Sequence, residues 1–218
     1  MFKSVNVIGR GRVGAALASR LEERGVALRE DAELALICVP DGAIADTARN
    51  LVQGPWVAHV SGATSLRALD PHTRRFGLHP LQTFTRTRGA EQLDGAWAAV
   101  TAETDDARQL GHELARTLGL LPFDVDDGAR SLYHAGAAIA SNYLVTLHRA
   151  ASRLFESAGA PPEALVPLMM RTIENGFELT GPIARGDTVT VEAHVGAIRD
   201  EAPELEPMYL ALAEATRS

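Results

Sequence analysis

The stretch Val7-Ile8-Gly9-Arg10-Gly11-Arg12-Val13-Gly14 decides the fold of the N-terminal half of the chain. It sets three glycines in the spacing GxGxxG between an apolar run, residues 5–8, and a segment of helical periodicity, residues 13–24. Gly9 permits a tight turn, Gly11 lets the backbone approach a phosphate, and Gly14 permits close packing of the helix on the strand. Because the start of a helix offers free N–H groups, we expect this loop to bind a pyrophosphate; a purely structural glycine turn is the alternative.

The segment after the first predicted helix is too short for a complete Rossmann half. That half needs a second strand, a crossover helix and a third strand, yet residues 25–33 alone precede the next apolar run at 34–39. A parallel crossover takes about ten or more residues, so residues 26–29 are not expected to form a regular parallel strand. The sequence therefore predicts a sheet that is abbreviated or rewired after its first strand and helix.

Charged residues in this short segment leave the choice of dinucleotide open. Glu30 and Asp31 stand near the offset of about 20 residues at which an acid binds the adenosine ribose. Arg29 and Arg10 could instead meet the 2′-phosphate of NADP. The geometry for the two acids depends on a second strand, and for the two arginines a solvated surface position is the alternative.

The order of apolar runs predicts two domains. Up to about residue 126, short apolar runs alternate with helical segments, which is typical of an α/β fold with a mostly parallel sheet. Helical spacing then continues without a strand signal, so we expect a Rossmann-like domain over residues 1–126 and an all-helical domain over residues 127–218. The predicted strands are 5–8, 34–39, 56–60, 76–78, 97–101 and 121–125, and the predicted helices are 13–24, 41–52, 105–118, 131–157, 161–177, 188–199 and 205–216.

Composition narrows the classes of function. The 218 residues carry a net charge of −7 with arginines interspersed among acids, which argues against a nucleic-acid partner. No apolar run approaches the ~18 residues of a membrane span, and Met1 precedes the first strand too closely for a signal peptide, so we expect a cytoplasmic protein. Lys3 is the sole lysine and Cys38, within an apolar strand, the sole cysteine. Proton transfer must therefore use histidine, carboxylate or tyrosine, and no metal site is predicted.

Polar loops after two predicted strands are candidates for chemistry. Ser61 and His79 each follow a strand, and the carboxyl ends of parallel strands share one edge of a sheet. A hydroxyl and an imidazole that converge on a substrate oxygen can stabilise or transfer the proton that accompanies hydride transfer. The alternatives are a turn-forming serine and a neutral histidine bonded to backbone before Pro80. His59, inside its strand, is expected in the core.

The helical domain offers a second group of candidates. His134, Ala138, Ser141 and Asn142 share one face of the long predicted helix, by their spacing of three and four residues. A small, polar face of this kind either lines a pocket or lets another helix pack closely. Arg185, in a turn-rich loop, could bind a substrate carboxylate, or it could be an exposed residue of a plain connection.

The chain resembles the Rossmann-like oxidoreductases that carry a C-terminal helical domain of unknown function. That family looks related to ketopantoate reductase, prephenate dehydrogenase, pyrroline-5-carboxylate reductase and 6-phosphogluconate dehydrogenase, which pair a dinucleotide domain with a helical domain that commonly dimerises. The resemblance implies NADP or NAD as the cofactor and a homodimer formed through the helical domain. It rests on residues 9–14, 39–41, 59–63, 79–84, 133–144 and 179–187, in that order.

The resemblance also implies roles for single residues. The Ser61 loop, followed by His79, is similar to the serine and His-Pro loops of prephenate dehydrogenases, whose serine and histidine approach the substrate hydroxyl. Asn142 resembles the active-site asparagine of hydroxyacid dehydrogenases and ketopantoate reductases. Those enzymes have a lysine where this chain has Ala138, so His79 or His134 must replace it. The predicted catalytic residues are Ser61, His79, His134 and Asn142, the substrate-binding residues Ser141 and Arg185, and the cofactor-binding residues Gly9, Arg10, Gly11, Arg12, Val13, Gly14, Val39 and Pro40.

The leading hypothesis is an NAD(P)-dependent oxidoreductase that acts on a small carboxylate-bearing substrate, such as a 2-oxo acid, in a cleft between the domains. A competing hypothesis is a non-catalytic binding or regulatory protein whose cofactor site has degenerated through the shortened segment after Gly25. In a third, the helical domain serves mainly as a dimer surface.

Overall fold

The computed structural model describes residues 1–217 of the chain. The strands within that range are β1 Ser4–Ile8, β2 Ala27–Leu28, β3 Leu34–Ile37, β4 Trp56–His59, β5 Arg75–Leu81, β6 Trp97–Thr101 and β7 Leu121–Asp124. They form one sheet in the order β2-β1-β3-β4-β5-β6-β7. Neighbouring strands are parallel, except that β5 and β6 are antiparallel. The predicted mostly parallel α/β fold is confirmed.

Helices cover both faces of this sheet. They are α1 Arg12–Glu23, α2 Ile44–Arg49 and α3 Asp105–Thr117. Leu34 and Leu36 lie in one hydrophobic core with α1 and α3, whereas Ala35 and Ile37 lie in a second core with α2. Successive side chains of a strand point to opposite faces, and both faces of β3 are covered, so all four of its residues are buried. This explains the continuous apolar run in the sequence.

The short strand β2 departs from the prediction. Ala27 and Leu28 pair in parallel with the start of β1, so the expectation that residues 26–29 form no parallel strand is wrong for these two. A strand of two residues is possible because Leu28, where it ends, and Leu34, where β3 begins, both pair with Val5. The connection between β2 and β3 therefore does not have to run back along the length of a strand.

The link from β2 to β3 crosses the face of β1 that bears Ser4 and Asn6. Glu33 N–H donates to Ser4 Oγ at 3.1 Å, and Asn6 Nδ2 donates to the Glu30 carbonyl oxygen at 3.4 Å. These polar side chains hold residues 29–33 where a complete Rossmann half has a crossover helix. The predicted abbreviation after the first strand and helix is therefore confirmed, and its physical basis is a polar face on β1.

The residues after β7 are helical. No strand follows Asp124 within residues 1–217, as predicted for an all-helical C-terminal region. The long helix predicted over 131–157 is divided by a π-helical turn, Ile139–Tyr143, and the regular spacing of its polar face does not continue beyond Ala138. None of the helices in the described range combines the length and apolar character of a membrane span. The helices are α4 Arg130–Ala138, α5 Leu144–Ser157, α6 Leu165–Glu174, α7 Gly181–Ala184, α8 Thr188–Glu201 and α9 Glu206–Arg217.

Two compact units divide the chain, Met1–Ile139 and the residues from Ala140 onward. The sequence places the boundary near residue 126, whereas α4 belongs to the first unit. The reason is a buried side chain, because the Arg130 guanidinium donates to Thr101 Oγ1 at 2.6 Å and to the carbonyl oxygen of Ser61. These bonds attach the start of α4 to the end of β6 and to the loop after β4.

Candidate functional site

The glycine loop joins β1 to α1 at the carboxyl edge of the sheet. Gly9 has a φ of 97°, and a Cβ there would lie 2.5 Å from the carbonyl oxygen of Cys38. A Cβ at Gly14 would overlap the carbonyl oxygen of Gly9, so α1 begins in close contact with the loop. At Gly11, by contrast, a Cβ would meet no atom of residues 1–217 within 4 Å. The backbone of Gly11 is therefore open to a ligand, which fits a dinucleotide pyrophosphate.

The predicted cofactor-binding residues lie on two neighbouring loops, after β1 and after β3. Val39 borders the glycine loop, since its Cγ1 lies 3.2 Å from the Cβ position of Gly9. Burial raises the pKa of the adjacent Cys38 thiol to about 12, so this cysteine stays protonated and serves packing. The remaining members of the set range from exposed to buried: Arg10, Gly11, Arg12 and Pro40 are exposed, Val13 is half-buried and Gly14 is buried.

His79 stands at the centre of a cluster of rings. Its Nδ1 lies 2.8 Å from the Tyr133 hydroxyl, and its ring centroid lies 5.7 Å from that of His134. His79 itself lies within β5, and not after the end of its strand as the sequence predicted, because β5 runs on to Leu81. Both partners come from α4, which β6, α3 and β7 separate from β5 in sequence. Gly62, after β4, closes the cluster, because a Cβ there would overlap the His134 ring and lie 2.9 Å from His79 Nε2. The structure thus brings together the predicted residues His79 and His134.

Burial sets the protonation of this cluster. It lowers the pKa of His79 to about 4, with His134 and Arg130 adding to the effect, and it raises the pKa of Tyr133 to about 12. Both groups are neutral at pH 7. We assign the phenol as the donor to Nδ1, which leaves the imidazole proton on Nε2, the nitrogen that lies beside Gly62. His79 is therefore a neutral hydrogen-bond donor.

Ser61 is engaged by its own turn. Its hydroxyl donates to Asp41 Oδ2 at 2.9 Å, and it accepts the backbone N–H of Ala63 at 3.2 Å and of Thr64 at 3.0 Å. This is the turn-forming arrangement that the sequence left open as an alternative. The Asp41 bond ties the loop after β4 to the loop after β3. The role of Ser61 at a substrate oxygen stays a prediction.

Arg130 is a residue that sequence reasoning missed. It is 1% exposed, and burial lowers its pKa. Gly77 makes room for it on β5, because a Cβ there would lie 2.8 Å from Arg130 Nη1. Nearby Asp127 accepts from Ser65 Oγ at 2.6 Å and from Leu66 N–H at 2.8 Å, which anchors the turn before α4. In the sequence, residues 126–130 marked the predicted domain boundary, and nothing there pointed to a buried cation.

His59 lies in the core, as predicted, but it is not satisfied there. It is fully buried, and neither ring nitrogen has a hydrogen-bond partner on another residue of 1–217. Burial, together with the charge of Arg130, lowers its pKa to about 4. This histidine is neutral in the folded protein at pH 7.

The remaining predicted site residues belong to the second unit. Ser141 and Asn142 lie in the π-helical turn, where Ser141 Oγ donates to Asn142 Oδ1 at 3.3 Å. Turns of this kind occur often at functional sites. Arg185 is exposed and directly follows α7. Their roles stay predictions.

Several solved structures share this fold over nearly the whole chain. BF3122 of Bacteroides fragilis, provisionally named an NADP oxidoreductase, has a TM-score of 0.82 at 20% identity, covering 98% of this chain and 97% of that one. Protein TM1727 of Thermotoga maritima has a TM-score of 0.74 at 23% identity, covering 98% and 89%. A reductive aminase of Aspergillus terreus, in complex with NADPH and ethyl levulinate, has a TM-score of 0.70 at 17% identity, covering 97% and 92%. At these identities the similarity establishes the fold.

Sequence comparison identifies the family. Among curated proteins, no sequence matches this chain. Residues 96–216, more than half of the 218, match the family described as a domain of unknown function, DUF2520. The match takes in Arg130, the cluster residues Tyr133 and His134, and the second unit as far as residue 216 in α9. The chain therefore belongs to the DUF2520 family.

Proposed function

We propose that this protein is an NAD(P)-dependent oxidoreductase that transfers hydride between a nicotinamide cofactor and a small carboxylate-bearing substrate, such as a 2-oxo acid. One observation carries the proposal, a continuous row of contacts along the carboxyl edge of the sheet. The glycine loop meets Val39 after β3, Asp41 on that loop accepts from Ser61 after β4, and Gly62 lies against the His79 ring. From β1 to β5 the row covers three strand spacings, about 14 Å, which an extended dinucleotide can span.

The similar structures support the cofactor class. BF3122 carries the name of an NADP oxidoreductase, and the Aspergillus terreus reductive aminase is in complex with NADPH. In this chain, the open backbone at Gly11 and the exposed Arg10 and Arg12 would hold the diphosphate. The bound nicotinamide supplies or accepts the hydride.

His79 and Tyr133 would manage the proton of the reaction. The Nε2–H of His79 donates to the substrate oxygen, which stabilises the negative charge that develops as hydride reaches the carbonyl carbon. The resulting alkoxide takes the Nε2 proton, and the Tyr133 hydroxyl passes its proton to Nδ1, so the imidazole remains neutral. An alkoxide is a stronger base than a phenolate, so the relay runs downhill. A proton from solvent then returns to Nε2 as the Nδ1 proton moves back to the Tyr133 oxygen, which restores the starting tautomer and the phenol.

The substrate class rests on the resemblance to enzymes of 2-oxo and 2-hydroxy acids and on the cations of this chain. With Lys3 as the sole lysine, a permanently charged partner for a carboxylate would be an arginine. Arg185 is the proposed clamp, and Ser141 and Asn142 the proposed hydrogen-bonding groups.

The protein is also proposed to form a homodimer through its second unit. Large apolar side chains are exposed there, among them Leu168 at 60%, Phe177 at 72% and Val189 at 75%. Large apolar side chains at the surface are the kind that protein interfaces bury. Sedimentation equilibrium of the full chain tests the proposal, and a monomer at all concentrations would contradict it.

Titration with NADPH and NADH tests the proposed function. Binding is followed by nicotinamide fluorescence and by the thermal midpoint, which rises when a ligand binds the folded state. A panel of 2-oxo acids, each beside the matching methyl ketone that lacks the carboxylate, is then assayed by NADPH absorbance. Oxidation of NADPH with the acids and not with the ketones is expected. No effect of either dinucleotide at millimolar concentration would favour the binding or regulatory protein instead.

A further inference from the structure

A cleft of about 440 Å³ lies beside the glycine loop, within the first unit. One wall is the loop and the first turns of α1, and the other is the connection that leaves β5. The connection had no assigned role in the sequence. The lining residues are Arg10, Gly11, Arg12, Ala15, Ala16 and Ser19 on the first wall, and Thr85, Arg86, Arg88, Gly89 and Ala90 on the second.

The charge of this cleft is concentrated and largely uncompensated. Four arginines line it, in a chain whose net charge is −7. Arg88 Nε lies 3.7 Å from Glu91 Oε1, whereas Arg10, Arg12 and Arg86 form no ion pair with any residue of 1–217. Guanidinium groups that converge without counter-charges repel each other, and a bound anion relieves that repulsion.

Buried polar side chains fix the second wall in place. Gln92, 2% exposed, donates from Nε2 to the carbonyl oxygens of Arg88 at 2.8 Å and Gly89 at 3.0 Å, while its Oε1 accepts Thr85 N–H at 2.8 Å. Its bonds therefore hold the two ends of the segment that carries the arginines. The cleft is a built feature of the fold and not a chance gap between loops.

A second buried side chain joins the two walls. Arg20 of α1, 4% exposed, donates to the Ala90 carbonyl oxygen at 2.9 Å and to Asp94 Oδ1 at 2.6 Å. The arginines of the connection thus keep a fixed relation to the first turn of α1, where Gly11 is open to a ligand.

We propose that Arg86 and Arg88 bind a phosphate group of the dinucleotide whose diphosphate the glycine loop holds. The inference rests on the proposed function. The planar guanidinium group forms paired hydrogen bonds to phosphate oxygens, and two groups on a fixed connection add to the N–H groups of the helix start. The phosphate is either the diphosphate itself or the 2′-phosphate of NADP, and the two sources predict different results.

Paired substitutions test the proposal. The double variant R86A/R88A is compared with R67A/R116A, which removes the same charge from exposed positions of the same unit outside the cleft. Dissociation constants for NADPH and NADH are measured by fluorescence. We expect R86A/R88A to bind about 20-fold more weakly, with a ligand-free thermal midpoint at or above that of the parent because repulsion in the cleft is relieved, and R67A/R116A to bind as the parent does.

The pattern of loss identifies the phosphate. An equal loss for both dinucleotides assigns Arg86 and Arg88 to the diphosphate, and a loss confined to NADPH assigns them to the 2′-phosphate; either result supports the proposal. Unchanged binding of both dinucleotides would overturn it, while the proposed function stands. If the parent protein binds neither dinucleotide, the proposed function fails. The thermal shift caused by inorganic pyrophosphate then tests whether the cleft binds phosphate. A thermal shift by pyrophosphate that R86A/R88A abolishes supports the cleft, and its absence overturns it.

Discussion

The glycine loop and the His79 cluster occupy the same edge of the sheet and treat charge in opposite ways. At the glycine loop, Arg10 and Arg12 are exposed and the backbone is open. At the cluster, the Arg130 guanidinium is buried against backbone and hydroxyl oxygens, and burial keeps His79 neutral. The difference suits the two proposed tasks, because anion binding needs accessible positive charge, whereas proton transfer needs a desolvated group that holds its proton at one atom.

Removal of the His79 imidazole is expected to have the largest effect and tests the role of the buried cluster. His79→Gln is expected to lower kcat/KM by about 1,000-fold, since a positioned proton donor contributes of this order, and to leave the NADPH dissociation constant unchanged. The matched control is His112→Gln, at a histidine of the same unit that is bonded to Asp124. Equal activity of the two variants would remove His79 from the reaction.

A bulky side chain at the open backbone of Gly11 is expected to weaken cofactor binding without a change in stability. Gly11→Leu fills space that is empty in the fold, so NADPH should bind about 100-fold more weakly while the thermal midpoint stays the same. Gly136→Leu, at an exposed glycine with equal space around it, is the control. Retained binding in the Gly11 variant would show that the ligand does not approach this backbone.

The buried histidine His59, in the strand beside the one that carries His79, should affect the pH dependence of stability. His59 has a folded-state pKa of about 4, below the usual 6.5, so the unfolded chain takes up a proton first as the pH falls. Stability is therefore complete above pH 6.5 and is lost as the pH falls toward 4, with a slope approaching about 1.4 kcal/mol per pH unit for this residue. His59→Phe removes that contribution. Urea unfolding of both proteins between pH 7 and pH 4.5 measures it, and parallel slopes would contradict the assignment.

The smallest expected effect concerns the partner of His79. Tyr133→Phe should lower kcat about fivefold with KM unchanged, the value of one hydrogen bond, since water can replace the phenol in the relay. The ¹⁵N shifts of the His79 ring give an independent readout, because loss of the donor to Nδ1 should mix the two tautomers. If the His79 ring keeps its proton on Nε2 in the variant, Tyr133 does not fix the tautomer of His79.

Local signals predicted the glycine loop, and long-range contacts decided the rest. Three glycines within six residues form a recognisable local pattern for a turn, an open backbone and a close packing contact, although the atoms that Gly9 and Gly14 accommodate include those of distant Cys38. The pairing of His79 with Tyr133 joins residues 54 apart in sequence, and no local pattern marks it. Arg130 escaped notice because a buried arginine looks the same in sequence as a solvated one.

The sequence of β1 also carries a local signal of the abbreviated segment that follows α1, in addition to the small number of residues in that segment. In β1 the side chains of Ser4 and Asn6 alternate with apolar valines, which indicates one polar face on a strand expected to be apolar on both. That face receives the link in place of a helix. The π-helical turn, in contrast, has no counterpart in the periodicity of residues 131–157.

The truncation of β2 has a consequence for the behaviour of the protein in a crowded solution. A long edge strand offers a row of unpaired N–H and C=O groups to which strands of other chains can add. Here the edge is two residues long and is followed at once by a turn rich in charge, Arg29, Glu30 and Asp31. The same shortening that removes the adenosine wall of a full Rossmann half thus leaves this side of the sheet too short to recruit a foreign strand.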